Sequence, residues 1–330
     1  MKALIHQKQK GLEGLHLSEM EELTPQAGEV RIKLKTAGLN HRDLFVLQRH
    51  QPEDPPLVIG SDGAGIVDAV GDNVTSVQVG DEVIINPGTG WRNTSDAPPK
   101  GFEILGLPFH GTFAEKIVIP EENALPKPSH LSWEEAGVLS LAALTAYRVL
   151  FTRAKVKENQ KVLIPGIGSG VATFLLQFAK AAGAEVYVTS RSKEKGDAAL
   201  KLGAVKAIDS NENWNDQLEN QKMDLVIESV GAATFNQSLD QLRTGGTIVA
   251  FGASAGDEVK LDLRKFFYGQ FNFLGSTMGS GEEYREMLQF IEEHNIKPII
   301  DKVYELSQYK DAFDRMENAS QFGKIGFKIV

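Results

Sequence analysis

One stretch constrains the fold more than any other: "KVLIPGIGSGVATFLLQFAKAAGAEVYVTS", residues 161–190. A short apolar run leads into three closely spaced glycines, an amphipathic segment comes next, and a second apolar run closes the stretch. Strand, glycine turn, helix and strand in that order make a dinucleotide-binding βαβ unit. The glycines are Gly166, Gly168 and Gly170, with Ala172 completing the cluster. A strict Gly-x-Gly-x-x-Gly register needs glycine at 171, where Val171 stands; a register starting at Ile167 puts Ala172 in the third place, small enough for close helix–strand packing. Spaced glycines also occur in ordinary turns, so the weight rests on their position between a strand pattern and a helix pattern. There glycine lets the backbone approach a pyrophosphate, and N–H groups at the helix start point at the anion. Gly166, Gly168, Ser169, Gly170 and Val171 form the expected cradle.

The end of the second strand sets the cofactor. Such units often finish this strand on an acid that hydrogen-bonds the ribose. Here the chain reads Ser190-Arg191-Ser192-Lys193, and the strand's own acid, Glu185, lies at the wrong end. An acid would accept both ribose hydroxyls and repel a 2'-phosphate. Hydroxyls and cations invert that preference, each charge-assisted hydrogen bond being worth roughly 1.5–3 kcal/mol. A solvated charge run is the plainer explanation. Against it, cations at a helix N-terminus oppose the macrodipole, and a bound anion would account for them. The expected cofactor is NADP(H), with Ser190, Arg191 and Lys195 toward the phosphate.

The rest of the chain fits around this unit. The 330 residues are enough for two domains on the prior of roughly 100–200 residues each. In the first ~120 residues the texture is β-rich: "EVRIKLKT" alternates Val30, Ile32 and Leu34 with charged residues, the period of a half-buried strand. "WRNTSDAPPKGFEILGLPF", residues 91–109, is long and rich in proline and glycine, which predicts a functional lid or a disordered loop. Ser132 and Glu135 have the spacing of a capping box at a helix start. Strand and helix patterns then alternate, with strands at "KVLIP", "EVYVTS", "VKAIDS", "MDLVIES", "GTIVAFG" and "FNFLGST". Six apolar strands joined by helices predict a doubly wound parallel sheet. "EEYREMLQFIEEHN" reads as a further helix before a mixed tail.

Charge and cysteine content narrow the function. A net charge of -9 argues against nucleic-acid binding. Apolar runs such as Ala136 to Leu144 fall short of the ~20 residues of a membrane span, and no signal-like segment starts at Met1, so a soluble cytoplasmic protein is expected. The chain has no cysteine, which removes disulfides, thiolate nucleophiles and cysteine-based zinc sites. His41, His50 and His110 stand apart from one another, without the spacing of metal ligands.

Taken together, the passages "AGLNHRDL", "VIGSDGAGIVDAVGDNV", "VGDEVI", "GTFAEKIVIP", "LTAYRVL", "GIGSGVATFLLQFAK", "GTIVAFG", "FLGSTMGS" and "GKIGFKIV" occur in an order that resembles the medium-chain dehydrogenase/reductase superfamily over essentially the whole chain. Within it, the likeness is to the zinc-free quinone oxidoreductase branch; some relatives carry a zinc-type alcohol dehydrogenase-like label by descent. The resemblance implies a GroES-like β domain from residues 1–124 and 279–330. It implies a Rossmann domain at 125–278, with the active site in the cleft. Zinc members hold their metal through a cysteine, a His-Glu pair and a third ligand. The matching places here are Asn40, Ser61-Asp62 and an apolar residue near Leu141, and the structural zinc lobe is missing. No metal is expected.

By the same resemblance, Asn40 lies beside nicotinamide and substrate, and Thr145 near the nicotinamide-side phosphate or ribose. Phe251 and Gly252 follow the fifth strand, while Ser276, Met278 and Lys324 close over the cofactor. Core packing for Phe251, an ordinary helix position for Thr145 and a surface charge for Lys324 are the plainer alternatives. The implied reaction is zinc-independent hydride transfer from NADPH to a quinone or an α,β-unsaturated carbonyl, with Asn40 positioning the substrate. Ser210 stands where relatives often place a tyrosine near the adenine, and "FVLQRHQPEDPP" lacks a donor tyrosine. The proton donor is left among His41, Asp43, Tyr147, Trp91, His110 and water. Alternatives are an enoyl-thioester reductase, a zinc-free alcohol or aldehyde dehydrogenase, and an NADPH-binding structural or regulatory protein without turnover. The expected partners are a small quinone, enone or aldehyde and a second copy of the chain, paired through edge strands near "FNFLGST".

Overall fold

The computed structural model describes Met1–Ile329; Val330, the last residue of the "GKIGFKIV" passage, lies outside the described residues. The chain divides into two compact units, residues 1–144 with 279–330, and residues 145–278.

The first unit is built on a mixed sheet centred on the long strand Glu29–Leu39. Val30, Ile32 and Leu34 are all fully buried, as the alternation predicts. This strand pairs antiparallel with Asp62–Val70 on one side and Lys324–Lys328 on the other. The register of the second pairing sets Ile325 opposite Leu39 and Phe327 opposite Ala37. Residues 40 and 324, 284 positions apart in sequence, are thereby brought side by side.

The segment 125–144, expected with the nucleotide-binding domain, belongs instead to the first unit. Ser132 caps its helix Trp133–Gly137: Glu135 N–H donates to Ser132 Oγ, and Ser132 N–H donates to the Glu135 carboxylate. Glycines let this helix lie on the central strand. A Cβ on Gly38 would sit 2.7 Å from Val138 Cα, and one on Gly137 2.6 Å from Thr36 Cβ. The helix breaks at Val138–Leu139 and restarts as Ser140–Tyr147, so a new helix N-terminus forms in this layer.

Residues 91–109 are anchored rather than loose. Trp91 is buried, donates to Ser95 Oγ and meets the Phe102 ring edge-on. A short ribbon pairs Gly88–Thr89 with Glu103–Ile104. Trp91 and Arg92 carbonyls accept the Gly281 and Glu282 N–H groups at the start of helix Gly281–Glu293, and the Glu282 carboxylate accepts Thr94 N–H. The free donors of a helix start thus fix the segment.

The second unit is a six-stranded sheet ordered Lys206–Asp209, Glu185–Ser190, Lys161–Ile164, Met223–Glu228, Leu242–Ala250 and Asn272–Gly275. All its pairings are parallel, which is the doubly wound order expected of a dinucleotide-binding domain. The helix before the fifth strand runs Phe235–Gln241. The chain enters its fifth strand at Leu242 with a register shift against Met223–Leu225. Among the described residues no helix is long and apolar enough to cross a membrane.

Candidate active site

The first unit contains a buried polar cluster. Its centre is the Lys324 ammonium, 3% exposed, which donates to Leu39 O at 3.1 Å, Asn40 Oδ1 at 2.5 Å and Asp62 Oδ2 at 3.2 Å. Three acceptors use three N–H donors, so the group is protonated. Asp62 is fully buried, and its other oxygen accepts Leu141 N–H at 2.7 Å. Leu141 lies in the first turn of Ser140–Tyr147, where backbone N–H groups have no carbonyl one turn earlier in the helix to bond. The three places matched to a zinc shell, Asn40, Asp62 and Leu141, do come together in space. A lysine ammonium is what gathers them.

The donor set does not suit a metal ion. One carboxylate is present, both its oxygens are committed, and a cation already sits against it; Asn40 and Leu141 supply no anionic or imidazole ligand. No group of three or more histidine, aspartate or glutamate side chains able to hold a metal occurs among the described residues.

Asn40 is also the N-cap of helix His41–Arg49. Its N–H donates to Asp43 Oδ2 at 2.8 Å, and its carbonyl accepts Asp43 N–H. Asp43 is fully buried with no hydrogen-bond partner for Oδ1 among the described residues, and burial pushes its carboxyl up to about 6. Arg42, which no motif flags, ties this helix to two other segments by donating to Ser61 Oγ and Leu105 O. Of the proposed proton donors, His41 and His110 are both lowered from the usual histidine value by burial, and His110 Nδ1 accepts Val58 N–H. Neutral imidazoles are weaker acids for this step. His50 is paired, Nδ1 to Nδ1 with His6 at 2.8 Å.

In the second unit the glycine turn has the form a phosphate cradle needs. Gly166 and Gly168 have φ of 72° and 138°, values that side chains disfavour. A Cβ on Gly166 would also lie 2.9 Å from Val230 Cγ2. Ser169 caps helix Gly170–Ala181 through Ala172 N–H, and Gly170 and Val171 begin that helix half-exposed. The turn is held from beneath by Thr189, on the second strand of the unit. Its hydroxyl oxygen accepts Gly166 N–H at 3.1 Å and the Ser210 hydroxyl at 2.9 Å, and its carbonyl accepts Ile167 N–H. Thr189→Val keeps the shape and strands two donors. A stability loss of about 1–3 kcal/mol in urea unfolding is expected, and an unchanged midpoint would contradict the assignment.

At the end of Glu185–Ser190, Ser190 is buried and accepts Ser192 N–H, while Arg191 is exposed. Glu194, overlooked in the sequence, accepts the Ser192 hydroxyl at 2.6 Å, and that bond holds its carboxyl below the usual range. An acid therefore already complements this helix start, and the cations there depend less on a bound anion than the macrodipole alone suggests. Lys195 N–H donates to Ser192 Oγ. Glu228, a second residue missed from the sequence, is fully buried and accepts Val230 N–H, Gly231 N–H and the Thr234 and Ser238 hydroxyls, fixing the turn after the fourth strand. Phe251 is half-buried rather than core and its N–H donates to Glu228 O; Gly252 is exposed. Ser276 continues the sixth strand, donating its N–H to Ala250 O, and Met278 and Thr145 are buried.

Comparison with known proteins places this geometry. The alcohol dehydrogenase GroES-like domain profile matches residues 26–129 and the zinc-binding dehydrogenase profile residues 170–293. A zinc-type alcohol dehydrogenase-like protein of Schizosaccharomyces pombe is 36% identical over 100% of this chain and 99% of its own length. The chain belongs to the medium-chain dehydrogenase/reductase superfamily. As a member of that superfamily it is an oxidoreductase. A crystal structure of an NAD-dependent alcohol dehydrogenase covers 100% of both chains at 35% identity with a TM-score of 0.94. A crotonyl-CoA reductase of Streptomyces avermitilis is 31% identical over 82% of this chain and 68% of its own length. The superfamily thus contains both alcohol dehydrogenases and enoyl-thioester reductases among this chain's relatives.

Proposed function

We propose that the protein is a cytoplasmic, NADPH-dependent, zinc-independent reductase of activated double bonds, with quinones and α,β-unsaturated carbonyls as its substrate class. The observation that carries this reading is the Lys324 ammonium bound to Asn40 and Asp62 where zinc members keep their metal. A site organised in this way has no Lewis acid to polarise an alcohol. It can still bind a developing oxyanion through preorganised hydrogen-bond donors.

When bound, the reduced nicotinamide supplies a hydride. The backbone turn Gly166–Val171 holds the pyrophosphate, and Ser190, Arg191 and Lys195 receive the 2'-phosphate. Thr145, Phe251, Gly252, Ser276 and Met278 retain the cofactor-contact roles that the superfamily resemblance gives them; Lys324, whose N–H groups go to Leu39 O, Asn40 and Asp62, acts through Asn40 instead. Asn40 orients the acceptor: hydride reaches the β-carbon, the carbonyl oxygen gains charge next to the Asn40 amide, and water protonates the α-carbon. Enoyl-thioester reduction is the same chemistry on a different carbonyl, and the likeness to crotonyl-CoA reductase favours it as the second reading.

NADPH oxidation measured with quinones, enones, a crotonyl thioester and aldehydes tests the reaction. Turnover on the first three classes without added metal, surviving a chelator, is expected. Turnover on aldehydes alone, lost with the chelator, would sink the proposal. The cofactor preference rests on Arg191, exposed and without an ion-pair partner among the described residues. Arg191→Ala should reduce the NADPH-over-NADH preference by about 10-fold or more, the worth of one charge-assisted contact. An unchanged ratio would remove the phosphate assignment.

A homodimer is part of the proposal. Strand Asn272–Gly275 is one edge of the sheet, and Phe267, Tyr268 and Phe273 are 52%, 69% and 47% exposed beside it. An open apolar edge favours pairing with another strand; sedimentation as a monomer at micromolar concentration would oppose this.

A further inference from the structure

We propose that Lys324 is a positioning residue that locks and polarises the Asn40 amide, turning it into a one-sided hydrogen-bond donor for the substrate oxygen. The inference rests on the proposed reduction of a carbonyl-activated double bond, and adds to it the device that replaces a metal's charge.

The orientation follows from chemistry rather than from a choice between amide rotamers. An ammonium has donors only, so the Asn40 atom 2.5 Å from Nζ is the carbonyl oxygen Oδ1. The Nδ2 group must then face the other way. Among the described residues its one partner is Gly38 O, at the limiting distance of 3.5 Å. A second N–H of that amide is left to donate. Asn40 cannot turn over without placing two donors against a fixed cation, and the backbone is pinned by its own N–H to Asp43.

The charge matters as well as the geometry. Lys324 is held by Asp62, whose second oxygen is occupied by Leu141 N–H, so the ammonium has no freedom to leave. A cation on Oδ1 withdraws electron density along the amide and makes Nδ2–H a stronger donor, the cooperative effect of a hydrogen-bond chain in a low dielectric. As hydride adds to the β-carbon, negative charge grows on the substrate oxygen, and this N–H is the group placed to receive it. No covalent bond to the protein forms or breaks; the enzyme supplies an oriented dipole backed by a full charge. Lys324 itself, with all three N–H groups used, stays a positioning residue, and Asn40 is the catalytic one.

Two variants separate these roles. Asn40→Asp keeps size, helix cap and the Lys324 contact but removes the Nδ2 donor. With the best substrate of the wild-type protein, kcat should fall about 100-fold at pH 8, with NADPH Kd and substrate KM within about twofold. Lys324→Met combined with Asp62→Asn removes charge from the cluster while leaving Leu141 N–H an acceptor. There kcat should fall about tenfold or more, again without a matching change in KM or NADPH Kd. Turnover within about threefold of wild type in either variant overturns the proposal. Neutron diffraction of the wild-type protein gives a reading independent of turnover. Three deuterons on Nζ and the deuterated Asn40 amide nitrogen turned away from it are expected; a neutral amine, or Asn40 swung off Lys324, overturns the proposal. If the wild-type protein reduces none of the panel, the proposed reaction falls, and the neutron arrangement alone decides whether the amide is locked.

Discussion

Lys324→Met is expected to lower stability by about 3–5 kcal/mol, because it leaves the Asp62 carboxylate buried without its cation. Asp62 is fully buried, so water cannot take over from the lysine. The loss also strands Leu39 O and Asn40 Oδ1, which accept from the same ammonium. The compensating variant makes the claim specific. Adding Asp62→Asn to Lys324→Met removes the orphaned charge while an amide oxygen still accepts Leu141 N–H, and most of the stability should return. Urea unfolding of the single and double variants measures both. Were the double variant no more stable than the single, the cost would lie in packing of the lysine stem rather than in the ion pair. A double variant that folds like the wild type yet turns over slowly would separate stability from catalysis at this cluster.

Asp43→Asn is expected to act in the opposite direction, stabilising the protein by about 3 kcal/mol at pH 8. Burial is the main force on Asp43. It outweighs the Arg42 charge and the Asn40 N–H, which favour the carboxylate, while Asp62 adds a little to the rise. The unfolded carboxyl deprotonates near its ordinary value of 3.8, the folded one at about 6. Between those values the folded protein holds the extra proton, so stability falls as pH rises through this window and the loss is complete above it. Two pKa units at about 1.4 kcal/mol each give the magnitude. An asparagine avoids this loss, since it can accept Asn40 N–H with no charge to bury. Its advantage over wild type should widen by about 1.4 kcal/mol between pH 5 and pH 8. A gap that does not change with pH would show that Asp43 is ionised throughout.

The two halves of this fold differ in how legible they are. The dinucleotide-binding unit is local: strand, glycine turn, helix and strand fall within 30 residues, and the glycine positions carry backbone angles that other residues resist. Its supports are less visible. Thr189 is one threonine inside an apolar strand and Glu228 one acid at the end of another, and only the hydrogen bonds they accept mark them out. The segment 125–144 reads as part of the wrong unit because its helix pattern runs without a visible break toward Tyr147 and the first strand of the nucleotide-binding sheet. The glycine contacts between Gly38, Gly137 and the central strand decide where it packs. Residues 91–109 look loose in sequence because proline and glycine are abundant there, whereas the start of a helix nearly 190 positions later supplies the donors that fix them.

The sequence by itself determined the fold class and the lack of any cysteine ligand, and it placed asparagine, aspartate and leucine where a metal shell would be. The first two follow from residue identity and local periodicity, the third from the superfamily resemblance. Only the tertiary structure decided what occupies that place. Lys324 sits near the end of the chain, in a glycine-flanked strand that could have carried a surface charge. Antiparallel pairing of that strand with Glu29–Leu39 sets residue 324 beside residue 40, and burial then obliges the ammonium to find three acceptors. A buried charge is tolerated only with such partners, and the same contacts fix the orientation of the Asn40 amide.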